Sequence, residues 1–357
     1  MKYAVIIGTR PEIIKMSPVI RELERRNLEH FVLHTGQHYS YEMDKIFFEE
    51  IRLKDPQYNL NVGSGTQGKQ TADILAGTEK VLVNEKPDVI LVEGDTNSVL
   101  AGALAASKLH IKVGHIEAGL RSYDRNMPEE INRILTDHCS DYLFAPTDKS
   151  KQILLSEGVP KEKIYITGNT IVDAVNQNLM IADQKTDVLK RLGLKPGEYF
   201  LVTCHRQENV DVKERMQGIL DGLKLLSEKY SFPIIFPIHP RTSKKLSEYG
   251  YKPEHVRFID PIGFLEFLQL EANARLVLTD SGGVQEETCI LKVPCVTLRD
   301  NTERPETVDA GGNMLAGTDP IRILRVAETM MTRKNECLNP FGDGNAAKKI
   351  IQAMEGS

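Results

Sequence analysis

Residues Leu276–Glu287, LVLTDSGGVQEE, constrain this chain more than any other stretch. The apolar run Leu276-Val277-Leu278 predicts a buried strand. Thr279-Asp280-Ser281-Gly282-Gly283 is a turn with a helix N-cap candidate, and Val284-Gln285-Glu286-Glu287 reads as a first helical turn. A strand that feeds a Gly-rich turn and a helix start aims backbone N–H groups past the sheet edge. Those groups and the helix dipole favour an anion, most often phosphate. Two glycines let a ligand approach the backbone closely. Ser281 offers a hydroxyl, and Glu287 an acceptor for a ribose diol. The stretch alone fits an ordinary serine-capped corner equally well, so the rest of the chain has to decide.

The unit recurs. Strand Tyr3–Ile7 runs into Gly8-Thr9-Arg10-Pro11-Glu12-Ile13-Ile14-Lys15. Pro11 suits the first helical position and Glu12 the positive helix end. Arg10 and Lys15 then lie beside the strand's carboxyl end, where open α/β sheets bind ligands; both also fit plain surface charges. Pro18 is expected to bend or end that helix. Val89–Val92 leads to Glu93-Gly94-Asp95-Thr96, and Ile111–Ile116 to Glu117-Ala118-Gly119-Leu120-Arg121. Asp95, His115, Glu117 and Arg121 are expected at the carboxyl ends of neighbouring strands. Asp95 fits a helix cap as well as a working group, and Glu117, after an apolar run, fits a working group better. Pro128-Glu129-Glu130 opens another helix, and on spacing alone its glutamates complement the dipole. Phe200–Thr203 runs into Cys204-His205, so His205 takes the place that Arg10 holds in the first half.

Strands alternating with helices predict α/β architecture with doubly wound parallel sheets. The length, 357 residues, suggests two domains. The expected organisation is an N-terminal Rossmann-like domain over 1–170, a polar helical linker over 171–197, and a second such domain over 198–344. A net charge of −5 carries no basic footprint for nucleic acid, and no apolar run is long enough for a membrane span. Tyr3–Ile7 is too short for a signal-peptide core, so a cytoplasmic protein is expected. The five cysteines, Cys139, Cys204, Cys289, Cys295 and Cys337, form no C-x-x-C pair and read as free thiols.

Together these motifs are specific. In order they are Gly8–Lys15, Gly94-Asp95-Thr96, His115–Arg121, Pro128–Arg133, Asp280–Glu287, Thr302-Glu303-Arg304-Pro305-Glu306 and Asn339-Pro340-Phe341-Gly342-Asp343-Gly344. The set resembles the non-hydrolysing UDP-N-acetylglucosamine 2-epimerases over essentially the whole chain. The resemblance implies the GT-B arrangement, two Rossmann-like domains facing a central cleft, with a C-terminal helix at about 345–357 packing back on the first. It implies an isomerase that interconverts UDP-GlcNAc and UDP-ManNAc without NAD or metal, as a homodimer. The products feed surface polysaccharides or related glycans. The C2 proton of an acetamido sugar is not acidic, so the family route eliminates UDP to a 2-acetamidoglucal and adds it back. That needs stabilisation of the leaving diphosphate, acid/base groups on both sugar faces and a site that retains the intermediate.

Carried over residue by residue, the resemblance places Arg10, Lys15 and His205 near the diphosphate and reacting sugar. Ser281, Gly282 and Gly283 fall on phosphate, Glu287 on ribose hydroxyls, Phe267 near the uracil and Arg304 near the nucleotide. Asp95, Glu117 and Glu129, with His205, are the catalytic set, and which carboxylate removes the proton stays open. Three acids together push their pKa values apart. The chain departs from the family pattern at Gln207, where a second arginine is usual, and over Thr288–Lys292, where Ala-Pro-Ser-Leu-Gly is usual. Gln37 and His38 match the region that holds an activating second UDP-GlcNAc in many bacterial members, but Tyr39-Ser40-Tyr41 does not. The competing readings are a GT-B glycosyltransferase with a UDP-sugar donor, an epimerase that releases UDP and free ManNAc, and a non-catalytic nucleotide-sugar sensor.

Overall fold

The computed structural model describes residues 1–37, 41–251, 254–333 and 339–356, with backbone alone for 41–44. His38 and Cys337 lie outside the described residues. The chain divides into two units, Met1–Gln177 with Phe341–Ser357, and Asn178–Pro340.

In the first unit the elements run β1 (Tyr3–Ile7), α1 (Arg10–Arg25), β2 (His30–His34), α2 (Tyr41–Glu50), β3 (Tyr58–Asn59), α3 (Gln67–Glu85), β4 (Val89–Glu93), α4 (Asn97–Lys108), β5 (Lys112–Ile116), α5 (Pro128–Cys139), β6 (Tyr142–Ala145), α6 (Asp148–Ser156), β7 (Ile164–Ile166) and α7 (Thr170–Lys185). The second unit takes over inside α7 and continues with α8 (Val188–Leu192), β8 (Phe200–Thr203), α9 (Gln207–Val210), α10 (Lys213–Tyr230), β9 (Ile234–Pro237), α11 (Pro240–Tyr249), β10 (Val256–Ile259), α12 (Phe264–Ala272), β11 (Leu276–Thr279), α13 (Gly282–Leu291), β12 (Cys295–Thr297), α14 (Pro305–Asp309), β13 (Asn313–Leu315) and α15 (Pro320–Thr332). Helix α16 (Ala346–Glu355) returns to the first unit. The segment expected as a linker is thus mostly α7 and α8.

Each unit has one parallel sheet, ordered β3-β2-β1-β4-β5-β6-β7 in the first and β10-β9-β8-β11-β12-β13 in the second. Strands β1 and β4 are buried along their whole length, which is why they read as continuous apolar runs. In both sheets the order reverses once, between β1 and β4 and between β8 and β11. Ligands of open α/β sheets bind at such reversals, beyond the carboxyl ends of the strands. The first reversal is tight. A Cβ on Gly8 would lie 2.0 Å from Ser98 Oγ and 2.3 Å from Thr35 Oγ1, so only glycine fits where α4 meets the β1–α1 turn.

Pro18 does not end α1, which continues to Arg25. Proline leaves the carbonyl four residues back without its helical donor. Here the Ser17 hydroxyl donates to that carbonyl, Ile14 O, at 2.8 Å. Helix α16 buries Ile350, Ile351 and Met354 completely. Asp173 of α7 accepts from the first N–H groups of α16, Ala346 at 3.2 Å and Ala347 at 3.1 Å. Strands β3 and β13 and helix α11 were not expected from the sequence. The two strands have only two and three residues, too few to show a period.

Candidate active site

At the first reversal the α1 N-terminus is already filled. The Glu12 carboxylate accepts from Thr9 N at 3.1 Å, from Gly8 N and from the Thr96 hydroxyl. Burial nonetheless pushes the Glu12 pKa up to about 7, against the pull of those donors. Lys15, in the second turn of the helix, reaches two carboxylates, Glu117 at 2.6 Å and Glu93 at 3.1 Å. Glu117 also accepts from Asn169 Nδ2 at 2.7 Å. Its backbone is left-handed, φ 71°, a strained state for a side chain and one that clusters at functional sites. Glu93 is buried, and desolvation, opposed by Lys15 and reinforced by Glu117, raises its pKa well above the carboxylate range.

Arg133 ion-pairs with Asp95 and, at 2.5 Å, with Glu130, while Asn132 donates to Asp95 O at 2.9 Å. These contacts pin the start of α5 to the end of β4. The two glutamates of that helix start then part company. Glu130 is buried and accepts from Ser122 N and Tyr123 N, both at 2.9 Å; Glu129 is exposed. The Arg10 guanidinium lies 5.7 Å from the centre of the Phe47 ring.

His115 and Arg121 do not join this group. His115 is buried, with Nδ1 2.7 Å from Asp137 and Nε2 2.9 Å from the Gly94 carbonyl. Arg121 pairs with the same Asp137 at 2.7 Å and with Glu157 at 2.5 Å. Asp137 and Glu157 lie 16 and 36 residues further on, so spacing did not reveal them as partners.

At the second reversal Asp280, fully buried, accepts from His205 N at 3.1 Å, Arg206 N at 2.9 Å and Asn209 Nδ2 at 3.1 Å. His205 Nδ1 stands 3.3 Å from the same carboxylate, and half of its side chain is exposed. Ser281 is the N-cap of α13, but its side chain makes no capping bond. Among the described residues no side chain fills the N–H groups of that first turn, whereas Glu12 fills those at the start of α1. Gly282 and Gly283 sit there, and a Cβ added to Gly282 would meet Arg304 Cγ and Glu303 Oε2 at 3.9 Å and one on Gly283 would meet Ser281 Oγ at 3.9 Å, in ordinary contact. Arg304 pairs with Glu286 at 2.6 Å. Glu287 is buried, with its pKa pushed up to about 7 by burial. Phe267, His205, His239, Arg241, Pro261 and Ile262 line a pocket of about 340 Å³ wholly inside the second unit, large enough for a small organic ligand.

Sequence reasoning missed Glu12 and Glu93 as part of the first group, Asp280 as the anchor of His205, and Glu271, which packs on Glu287. Glu93 carried the signal used for Glu117, a carboxylate closing an apolar strand. Among the described residues, no three or more His, Cys, Asp or Glu side chains gather as metal ligands do. No helix of the described residues is long and apolar enough to cross a membrane.

The family model for UDP-N-acetylglucosamine 2-epimerase matches residues 21–355. The UDP-N-acetylglucosamine 2-epimerase of Methanocaldococcus jannaschii is 56% identical, over 99% of both chains. Its structure superposes with a TM-score of 0.92, covering 100% of each chain, and a second is a complex with UDP-GlcNAc and UDP, TM-score 0.85. The UDP-2,3-diacetamido-2,3-dideoxy-D-glucuronate 2-epimerase of Pseudomonas aeruginosa is 42% identical, over 99% of both chains. Two parallel sheets with their reversals, a carboxylate group at one, an open helix N-terminus at the other, and similarity along the whole chain lead to one assignment: the chain belongs to the UDP-N-acetylglucosamine 2-epimerase family.

Proposed function

We propose that this protein epimerises UDP-N-acetylglucosamine at C2 to UDP-N-acetylmannosamine, reversibly, by elimination and re-addition of UDP. The second unit holds the nucleotide. The open α13 N-terminus with Ser281, Gly282 and Gly283 takes the diphosphate, with Arg304 beside it. Glu287 takes the ribose diol, and the pocket at Phe267 the uracil. The first unit carries the proton chemistry. A carboxylate of the Asp95, Glu117 and Glu129 set removes the C2 proton as the C1–O bond breaks. The electron pair becomes the C1=C2 bond of 2-acetamidoglucal, and UDP departs with the C1 oxygen. A proton then returns to the other face of C2, and the diphosphate oxygen re-forms the bond to C1. Atoms and charge balance without an oxidant. Arg10, Lys15 and His205 stabilise the diphosphate charge as it develops.

The observation that carries this reading is Lys15 set between Glu117 and the buried Glu93. That is an acid/base pair with a cation poised on it, at a sheet reversal, and an inverting transferase, with a single base, has no use for it. We extend the reading to a cytoplasmic homodimer working without NAD or metal; sedimentation reports the dimer.

The test is proton NMR of UDP-GlcNAc with the purified protein in D2O, with neither NAD nor metal added. UDP-ManNAc deuterated at C2 is the expected product. Free UDP with ManNAc identifies a hydrolysing enzyme. The Pseudomonas relative supplies the second reading, a UDP-2,3-diacetamido-glucuronate substrate. Turnover of that sugar nucleotide with UDP-GlcNAc left unchanged overturns the first.

A further inference from the structure

Helix α12 carries Phe267 and Glu271 four residues apart, so both lie on one helix face. Phe267 lines the pocket, while Glu271 is completely buried. Neither Glu271 carboxyl oxygen receives a hydrogen bond from a donor group among the described residues. The titratable groups around it are Glu287 from α13, Tyr199 ahead of β8 and Cys295 on β12, with Glu286 beyond Glu287. The Tyr199 hydroxyl is directed to the Leu270 carbonyl at 2.5 Å. None of these is a cation. A buried carboxylate with neither donor nor cation is costly, so the group keeps its proton. The partner within hydrogen-bond reach of that proton is the Glu287 carboxyl. A methionine would fill the same space with no unpaired oxygen, so the choice of a carboxyl points to that partner.

We propose that Glu271 is a positioning residue for nucleotide recognition: it donates its proton to Glu287 and holds that carboxylate as an acceptor for the ribose diol. The inference rests on Glu287 contacting the ribose. Burial raises both groups, Glu287 to about 7 and Glu271 well above its usual range, and the Glu271 hydrogen bond pulls Glu287 down. Of the pair, Glu287 therefore ionises first. Apparent values belong to the pair, and UDP binding should release a proton as it captures the ionised form.

UDP affinity of the full chain is measured calorimetrically from about pH 5.5 to about pH 9, with steady-state kinetics alongside. In the wild type, affinity rises with pH through a midpoint near neutrality. Glu271→Gln retains an N–H donor and keeps affinity within about threefold, with the midpoint unmoved. Glu271→Met keeps volume and loses the donor. Its thermal stability is unchanged or higher, its UDP affinity falls about tenfold and its midpoint moves to higher pH. KM rises while kcat at saturation stays. Wild-type affinity and midpoint in Glu271→Met overturn the proposal, as does a folded Glu271→Gln as impaired as Glu271→Met. Glu287→Ala is the control. Undiminished UDP binding in that variant overturns the ribose reading itself, whereas weakened binding there with a normal Glu271→Met overturns the positioning role alone.

Discussion

Gly283 gives opposite signs for folding and binding. Its φ lies outside the left-handed region, and an added Cβ meets nothing closer than Ser281 Oγ at 3.9 Å. Alanine there gains helix propensity, up to about 1 kcal/mol. Gly283→Ala should melt at the same temperature or higher, yet bind UDP at least about tenfold more weakly, because on the proposed reading its methyl would stand where the diphosphate approaches. Calorimetry with UDP reads both, and unchanged affinity would remove the phosphate from this turn. Glu117 gives the catalytic counterpart. On the proposal that Glu117 is the base of the Asp95, Glu117 and Glu129 set, Glu117→Gln keeps the shape of the site but loses the base, and kcat should fall by about 10²- to 10⁴-fold while UDP affinity holds. Deuterium incorporation at C2 should fall in parallel. Full exchange in this variant moves the base to Asp95 or Glu129.

The element on which the second unit turns is the β11–α13 connection. Asp280, at its start, ties down the chain leaving β8 through three nitrogen donors, one of them the N–H of His205. Asp280→Ala takes the acceptor from two part-buried backbone N–H groups and leaves Asn209 Nδ2 with only the Leu298 carbonyl, at a cost of about 3 kcal/mol. Hydrogen exchange should quicken across Cys204–Val210 and at the first turn of α13. Protection on β1, β4 and α1 should stay as it was. Quickening in both units alike would mean that Asp280 does not act through its own turn.

At the scale of the molecule, each unit has its own sheet and apolar core, and the first is completed by the last helix of the chain. Removing residues 341–357 exposes the surface that Ile350, Ile351 and Met354 cover. Three such side chains contribute roughly 6 kcal/mol, comparable to the whole stability of a domain. The truncated chain should lose its first-unit structure and all epimerase activity. The second unit should still melt as a separate transition that UDP shifts upward. A single transition insensitive to UDP would make the units interdependent.

The sequence by itself determined the α/β class, the rhythm of strand, turn and helix, and the glycine turn at Ser281–Gly283. All three are local. A strand buried on both faces must be apolar along its length, and a helix start that carries glycines declares itself within a dozen residues. Whether Ser281 caps that turn only the structure decided: its side chain makes no capping bond. Tertiary structure alone decided which charges meet. Glu93 and Glu117 belong to strands 24 residues apart in the chain and become neighbours because β4 pairs with β5. His115 and Arg121 were expected at the strand ends with Glu117, and Asp137 pairs with both. Glu129 and Glu130 were indistinguishable by spacing, and the fold buried one and exposed the other. Pro18 reads as a helix bend or end, and the helix runs on past it with the Ser17 hydroxyl donating to the freed Ile14 carbonyl. Strand order and side-chain burial are non-local, and a carboxylate's proton affinity follows from them.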